Sequence, residues 1–269
     1  MTAAAPEYVL ARRALLDVLD VLEAHQESLV LVGAQAVYLH APGDFGVPAY
    51  TTDGDLTIDP DVLAYAPDID TMLRNADYFA GQNPGAWTSP SGVHIDLLVA
   101  AGVASGPGRR SASLAGHGLP TARRTPGLEV ALVDNSVMTL RALDPSDERV
   151  RDLKVAGPAA LTIAKLAKLR ERLDLGKEDR VLPKDAGDLL RMLRACDARA
   201  IGNQLSVLAA QPAIDAVIAP LIRWSAADVG ARESQLARLA VLAAQGTEPD
   251  RQVDGSLRAL ISTLVEAFR

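Results

Sequence analysis

The chain has 269 residues, of which 49% are hydrophobic and 23% charged, as is typical of a globular protein with one large or two modest domains. Its formal net charge of −7 at pH 7 argues against general affinity for nucleic acid, although a local basic patch is compatible with it. The single cysteine, Cys196, excludes an internal disulfide and fits a reducing compartment. No apolar run reaches membrane-spanning length, so the sequence predicts a cytoplasmic protein without a membrane partner.

The first half of the chain mixes strand-like and helix-like segments. A buried strand over 29–32 is followed directly by a helix that begins at Gly33. The other elements predicted here are a helix over 7–24, a strand over 52–58, a helix opening at Pro60, a hairpin around 89–92, a long loop over 100–127, and strands over 128–133, 137–143 and 150–155.

From Gly157 onward the pattern is helical throughout. The predicted helices cover 161–175, 184–198, 201–210, 214–222, 226–244 and 257–268. The chain is therefore predicted to divide into an α/β-type domain at 1–156 and an all-helical domain at 157–269, which makes it α+β as a whole.

Three aspartates lie within strand-like apolar sequence: Asp53, Asp55 and Asp96. Successive strand side chains alternate faces, so Asp53 and Asp55 share one face. If the strand of Asp96 lies beside them, three carboxylates converge and need a cation such as Mg²⁺ or Mn²⁺ between them. The glycine turn at Gly33 offers helix N-terminal N–H groups to a phosphate. The alternative is that these acids are simply solvated.

Short motifs around these residues resemble the polymerase-β-type nucleotidyltransferase superfamily. The motifs are Gly33-Ala-Gln-Ala, Thr52-Asp53-Gly-Asp55-Leu and His94-Ile-Asp96-Leu-Leu-Val. In the helical half, Leu161-Thr-Ile-Ala-Lys165-Leu-Ala-Lys168 and Pro183-Lys184-Asp185 are similar to the AbiEii family, the nucleotidyltransferase toxins of type IV toxin–antitoxin systems, which include the MenT toxins. The resemblance covers approximately residues 29 to 195.

The resemblance implies a role for each matched residue. Gly33 and Ala34 would cradle a nucleoside triphosphate, and the three aspartates would hold magnesium and form the acidic catalytic set. Lys165 would reach the nucleotide phosphates, and Asp185 matches a late acidic motif. Ala34 stands where the family has serine, and the long interval before Asp185 leaves Lys168 and Asp188 as rival assignments. From the residues alone, Lys165 and Lys168 share a helix face and could be ordinary surface lysines.

The implied activity is magnesium-dependent transfer of a nucleotide from a nucleoside triphosphate to an acceptor. The resemblance makes that acceptor RNA, at the tRNA 3′ end, and the protein a toxin with a cognate antitoxin. Small molecules and proteins are alternative acceptors, and an inactive nucleotide-binding module is a further reading. Four arginines of the long loop could grip an RNA backbone or simply confer solubility: Arg109, Arg110, Arg123 and Arg124.

Overall fold

A computed structural model describes residues 4–43, 45–106, 110–118, 121–174 and 183–268. The chain forms two compact units. A sheet unit comprises Met1–Ala36 and Ala49–Ala156, and a helical unit comprises Val37–Pro48 and Gly157–Arg269. The sheet unit ends at Ala156 and the helical unit continues from Gly157, and the earlier segment Val37–Pro48 also belongs to the helical unit.

The sheet unit contains several helices and all of the strands that the described residues form. Its helices are α1 (Pro6–Val21), the start of α2 (Gly33–His40), α3 (Ile69–Asn75) and α4 (Glu129–Val133), with a 3₁₀ helix at Glu23–Ser28. Its strands are β1 (Leu29–Val32), β2 (Asp53–Ile58), β3 (Phe79–Ala80), β4 (Ala86–Thr88), β5 (His94–Ala100), β6 (Arg123–Thr125), β7 (Asn135–Arg141) and β8 (Val150–Ala156).

These strands form one mixed sheet in the order β3-β4-β5-β2-β1-β8-β7, and β6 pairs additionally with β5. The central strand β1 is buried along its whole length, as its sequence Leu-Val-Leu-Val predicts. It pairs antiparallel with β2 and parallel with β8. Helix α1 covers one face of the sheet, where Leu15 lies 3.6 Å from the position that a Cβ on Gly54 would occupy. Since faces alternate along β2, Asp53 and Asp55 point away from α1.

The described residues of the helical unit form six helices and the end of α2. The six are α5 (Pro158–Asp174), α6 (Pro183–Ala195), α7 (Ala198–Leu208), α8 (Pro212–Gly230), α9 (Gln235–Ala243) and α10 (Asp250–Ala267). Caps set several of the boundaries: the Asp197 carboxylate accepts from the Arg199 N–H at the start of α7, and Ser234 caps α9 in the same way. The apolar faces of these helices form a core that includes Leu189, Leu193, Leu205, Leu257 and Leu264.

Arg191 of α6 fastens the excursion over Val37–Pro48 to the helical unit. Its guanidinium donates to the carbonyls of Ala41 at 2.8 Å and Gly43 at 2.7 Å, and also to that of Val47. Gly187, one turn earlier, permits this approach, because a Cβ there would lie 2.8 Å from the Val47 side chain. Three backbone carbonyls thus accept from the buried guanidinium and hold this segment against α6, while Nε of Arg191 has no hydrogen-bond partner among the described residues.

The coarse prediction of a mixed α/β fold with many helices is confirmed, but three elements were predicted wrongly. The segment 128–133 is helical, because an apolar run this short does not distinguish a strand from a helix. No helix opens at Pro60; α3 begins at Ile69, where the carboxylate of Asp68 accepts from the Thr71 N–H at 2.8 Å and caps it. The predicted helix over 226–244 is divided between α8 and α9.

Candidate functional site

The sheet brings the third predicted acid beside the first two. Strands β2 and β5 pair in parallel, with Asp53 opposite His94 and Asp55 opposite Asp96. Residues directly opposite each other project from the same face, so all three aspartates lie on the face that α1 does not cover. The strand register therefore places all three residues on one face of the sheet.

Gly33 shapes the turn that enters this face. It joins β1 to α2 with a φ of +71°, a left-handed conformation that favours glycine. A Cβ on Gly33 would lie 2.0 Å from Oδ2 of Asp55, so the carboxylate rests directly against the glycine backbone. Ala34, the next residue, is buried. The predicted phosphate turn and the second acid are thus in direct contact.

A buried polar network, which sequence reasoning missed, positions the start of β2. The Gln35 amide donates to the Asp53 carbonyl at 3.0 Å and to the Ala11 carbonyl at 3.1 Å. Its own oxygen accepts from Nε of Arg12 at 2.8 Å. Both side chains are almost completely buried, at 1% exposure for Gln35 and 2% for Arg12. A glutamine within an otherwise apolar helix was the available signal, since buried polar groups need partners.

The three carboxylates have different surroundings. Asp53 accepts a short hydrogen bond of 2.5 Å from the Thr51 hydroxyl. Asp96 accepts from the Arg123 guanidinium at 2.7 Å, and the side chains of this pair are about one-third exposed, at 29% and 35%. Asp96 is therefore already neutralised by a cation from its own chain.

The donor chemistry of this face fits a hard divalent cation, which prefers carboxylate oxygens. The close packing of Asp55 on Gly33 also places backbone next to the acids. Among the described residues, however, no group of three His, Cys, Asp or Glu side chains is arranged so that it could hold a metal ion. Magnesium at Asp53, Asp55 and Asp96 therefore stays a prediction.

In the helical unit, the predicted lysine and late acids form a single buried cluster. Nζ of Lys165 donates to Asp185 at 3.0 Å and to Asp188 at 2.6 Å. Asp185 also accepts from Lys168 and Arg172, each at 3.0 Å. The rival pairs Lys165–Asp185 and Lys168–Asp188 are consequently parts of one network.

Burial distinguishes the two lysines. The Lys165 side chain is 7% exposed, whereas that of Lys168 is 45% exposed. Burial by itself would lower the pKa of Lys165, but the carboxylates of Asp188 and Asp185 outweigh it and raise that pKa above its ordinary value. Burial likewise opposes ionisation of Asp185, yet the surrounding cations hold its pKa well below the usual range. Lys165 thus neutralises buried acids, and Lys168 is the ammonium of this cluster that solvent reaches.

Two arginines of the long loop, Arg123 and Arg124, make intramolecular side-chain contacts. Arg124 donates to the carbonyls of Ala104 at 2.7 Å and Gly106 at 2.9 Å, which fastens the loop to β6. Arg123 is held by Asp96, and Arg109 lies outside the described residues. These contacts give Arg123 and Arg124, the two arginines of β6, a structural role.

Comparison of the chain with models of protein families, with curated proteins and with solved structures gave no match. Within the described part of the chain, no helix is long and apolar enough to cross a membrane.

Proposed function

We propose that the protein is a magnesium-dependent nucleotidyltransferase that moves a nucleotide from a nucleoside triphosphate to an acceptor. The observation that carries this proposal is the parallel register of β2 and β5, which sets Asp55 beside Asp96 on one face next to the left-handed turn at Gly33. The sequence motifs at these positions resemble the polymerase-β-type superfamily, whose fold we propose for the sheet unit.

In this proposal, Asp53 and Asp55 supply oxygen ligands to Mg²⁺ or Mn²⁺, and Asp96 completes the acidic set. A divalent ion at such a site would neutralise phosphate charge and lower the pKa of an attacking hydroxyl. Gln35 keeps the start of β2 in place through the Asp53 carbonyl. The first N–H groups of α2, from Gly33 and Ala34 onward, have no carbonyl partner within their own helix and suit a phosphate.

For the acceptor, we propose RNA, at the tRNA 3′ end, with the protein acting as the toxin of a type IV-like system that has a cognate antitoxin. This part depends on the resemblance to the AbiEii family alone. Small-molecule and protein acceptors would use the same acids. A sheet unit whose two β6 arginines, Arg123 and Arg124, already have partners offers no specific support for a polynucleotide.

A nucleotide-binding module without turnover is the second candidate, and two observations favour it. Ala34 lacks the hydroxyl that the family places after the glycine, and Asp96 is occupied by Arg123. Calorimetry with magnesium and each nucleotide would support this candidate if binding occurred without any product.

The test of the proposal is incubation with α-labelled nucleoside triphosphates, magnesium and total RNA, with transfer read on a gel. Asp53→Asn and Asp55→Asn preserve side-chain shape and should each reduce transfer by at least about a hundredfold. Mutation of residues that only hydrogen-bond to metal ligands already lowers metal affinity or activity by about 10–100-fold. Asp70→Asn is the matched control, because Asp70 lies on α3 in an exposed pair with Arg74. Full transfer by both β2 variants would contradict the proposal.

A further inference from the structure

Arg123 is the cation that the structure places on the acidic face. Strand β4 pairs with the first half of β5 and β6 with its second half, so that Arg123 lies opposite Leu98, two residues beyond Asp96. Residues two apart on a strand share a face, and Nη2 of Arg123 donates to Oδ2 of Asp96 at 2.7 Å. The guanidinium therefore neutralises Asp96, which lies opposite Asp55 of β2.

The contact is only partly satisfied. Among the described residues, Nε of Arg123 is buried and has no hydrogen-bond partner. A buried donor without a partner costs free energy, and ion pairs that are about one-third exposed contribute little stability. Arg123 is thus held on Asp96 by an interaction that a divalent cation can replace.

We propose that Arg123 and a divalent cation compete for Asp96, so that Arg123 moves to the triphosphate when metal and nucleotide bind. This inference rests on the proposed function and names a positioning residue within it. Arg123 would compete with a metal ion for Asp96, since two cations repel at that distance. Once released, its planar fork of N–H donors matches phosphate oxygens.

The exchange predicts effects of opposite sign in one variant. Arg123→Gln removes the competing charge, so Mn²⁺ alone should bind about threefold to tenfold more tightly than to the wild-type chain. The same variant lacks the phosphate contact, so Mg²⁺–ATP should bind more weakly by a similar factor. A purely structural role for Arg123 would weaken both.

Both affinities are measurable on the full chain by calorimetry, without any turnover. Arg151→Gln is the matched control, since it removes an arginine of β8 from a comparably exposed ion pair with Asp20 and leaves Asp96 paired; both its affinities should match the wild type. Circular dichroism verifies folding of each variant. Arg123→Lys, which keeps the charge, should bind Mn²⁺ as the wild type does.

Unchanged or weaker Mn²⁺ binding by Arg123→Gln would overturn the inference. If Arg123→Gln gave that result while Asp55→Asn abolished Mn²⁺ binding, the proposed metal site and function would stand, and only the inference about Arg123 would fail. Absence of Mn²⁺ binding from both the wild type and Arg123→Gln would overturn the inference and the proposed metal site together.

Discussion

Removal of the Lys165 ammonium tests whether the buried cluster of the helical unit is an interdependent ion network. Lys165→Met approximately keeps the length of the side chain. Among the described residues, it leaves Asp188 with a hydrogen bond from the Tyr38 hydroxyl, 3.0 Å away. Asp185 keeps Lys168 and Arg172. Removing one member of a buried ion pair costs roughly 3–5 kcal/mol, and the two remaining cations place this case near the lower end, at about 3 kcal/mol.

The assay is chemical denaturation followed by circular dichroism, in which the midpoint reports the free energy of unfolding if the slope is unchanged. Lys168→Met is the matched control, because its ammonium binds the same carboxylate from a side chain that is 45% exposed. That variant should lose less than about 1 kcal/mol. The contrast between two lysines on one helix separates burial from charge alone.

A second substitution, Asp188→Asn, tests the Lys165–Asp188 ion pair directly. Asp188→Asn removes the charge that Lys165→Met leaves unneutralised, so the double variant should be more stable than the sum of the single losses predicts. Equal losses for Lys165→Met and Lys168→Met, or strict additivity with Asp188→Asn, would refute the interpretation of Lys165 as the neutralising group of buried acids.

Three further predictions concern the sheet unit. Gly33→Ala should lower the melting temperature and reduce transfer, because the new Cβ would meet Asp55; Gly92→Ala, with a φ of +81° but no atom within 4 Å, should show only the backbone cost. Gln35→Leu should lose about 1–3 kcal/mol in denaturation, because it leaves buried partners unsatisfied. Burial lowers the pKa of His25, so the folded state favours its neutral form, and stability should fall as the pH drops below about 6.5; His25→Gln should flatten a melting-temperature profile between pH 7.5 and 5.5.

A different outcome would contradict each of these three predictions. Equal effects of the two glycine variants would show that the contact with Asp55 is unimportant. A stable Gln35→Leu variant would mean that water replaces the amide. A steep pH profile in His25→Gln would assign the acid sensitivity to another group.

Local pattern was sufficient for much of the fold. The apolar run over 29–32 followed by Gly33 predicted β1 and the start of α2, because a fully buried strand and a left-handed glycine both leave strong signals. It failed at 128–133 and at Pro60, where short apolar or proline-containing segments fit more than one element. The cap at Asp68 was the better signal for α3.

The backbone repeat alone predicts that Asp53 and Asp55 share a strand face and that Lys165 and Lys168 share a helix face. The folded chain was needed to show that Asp55 lies opposite Asp96, that Arg123 neutralises Asp96, and that Lys165 is buried while Lys168 is not. The reason is distance along the chain: strand register and side-chain burial depend on segments that meet only when the chain folds, and no local pattern encodes them.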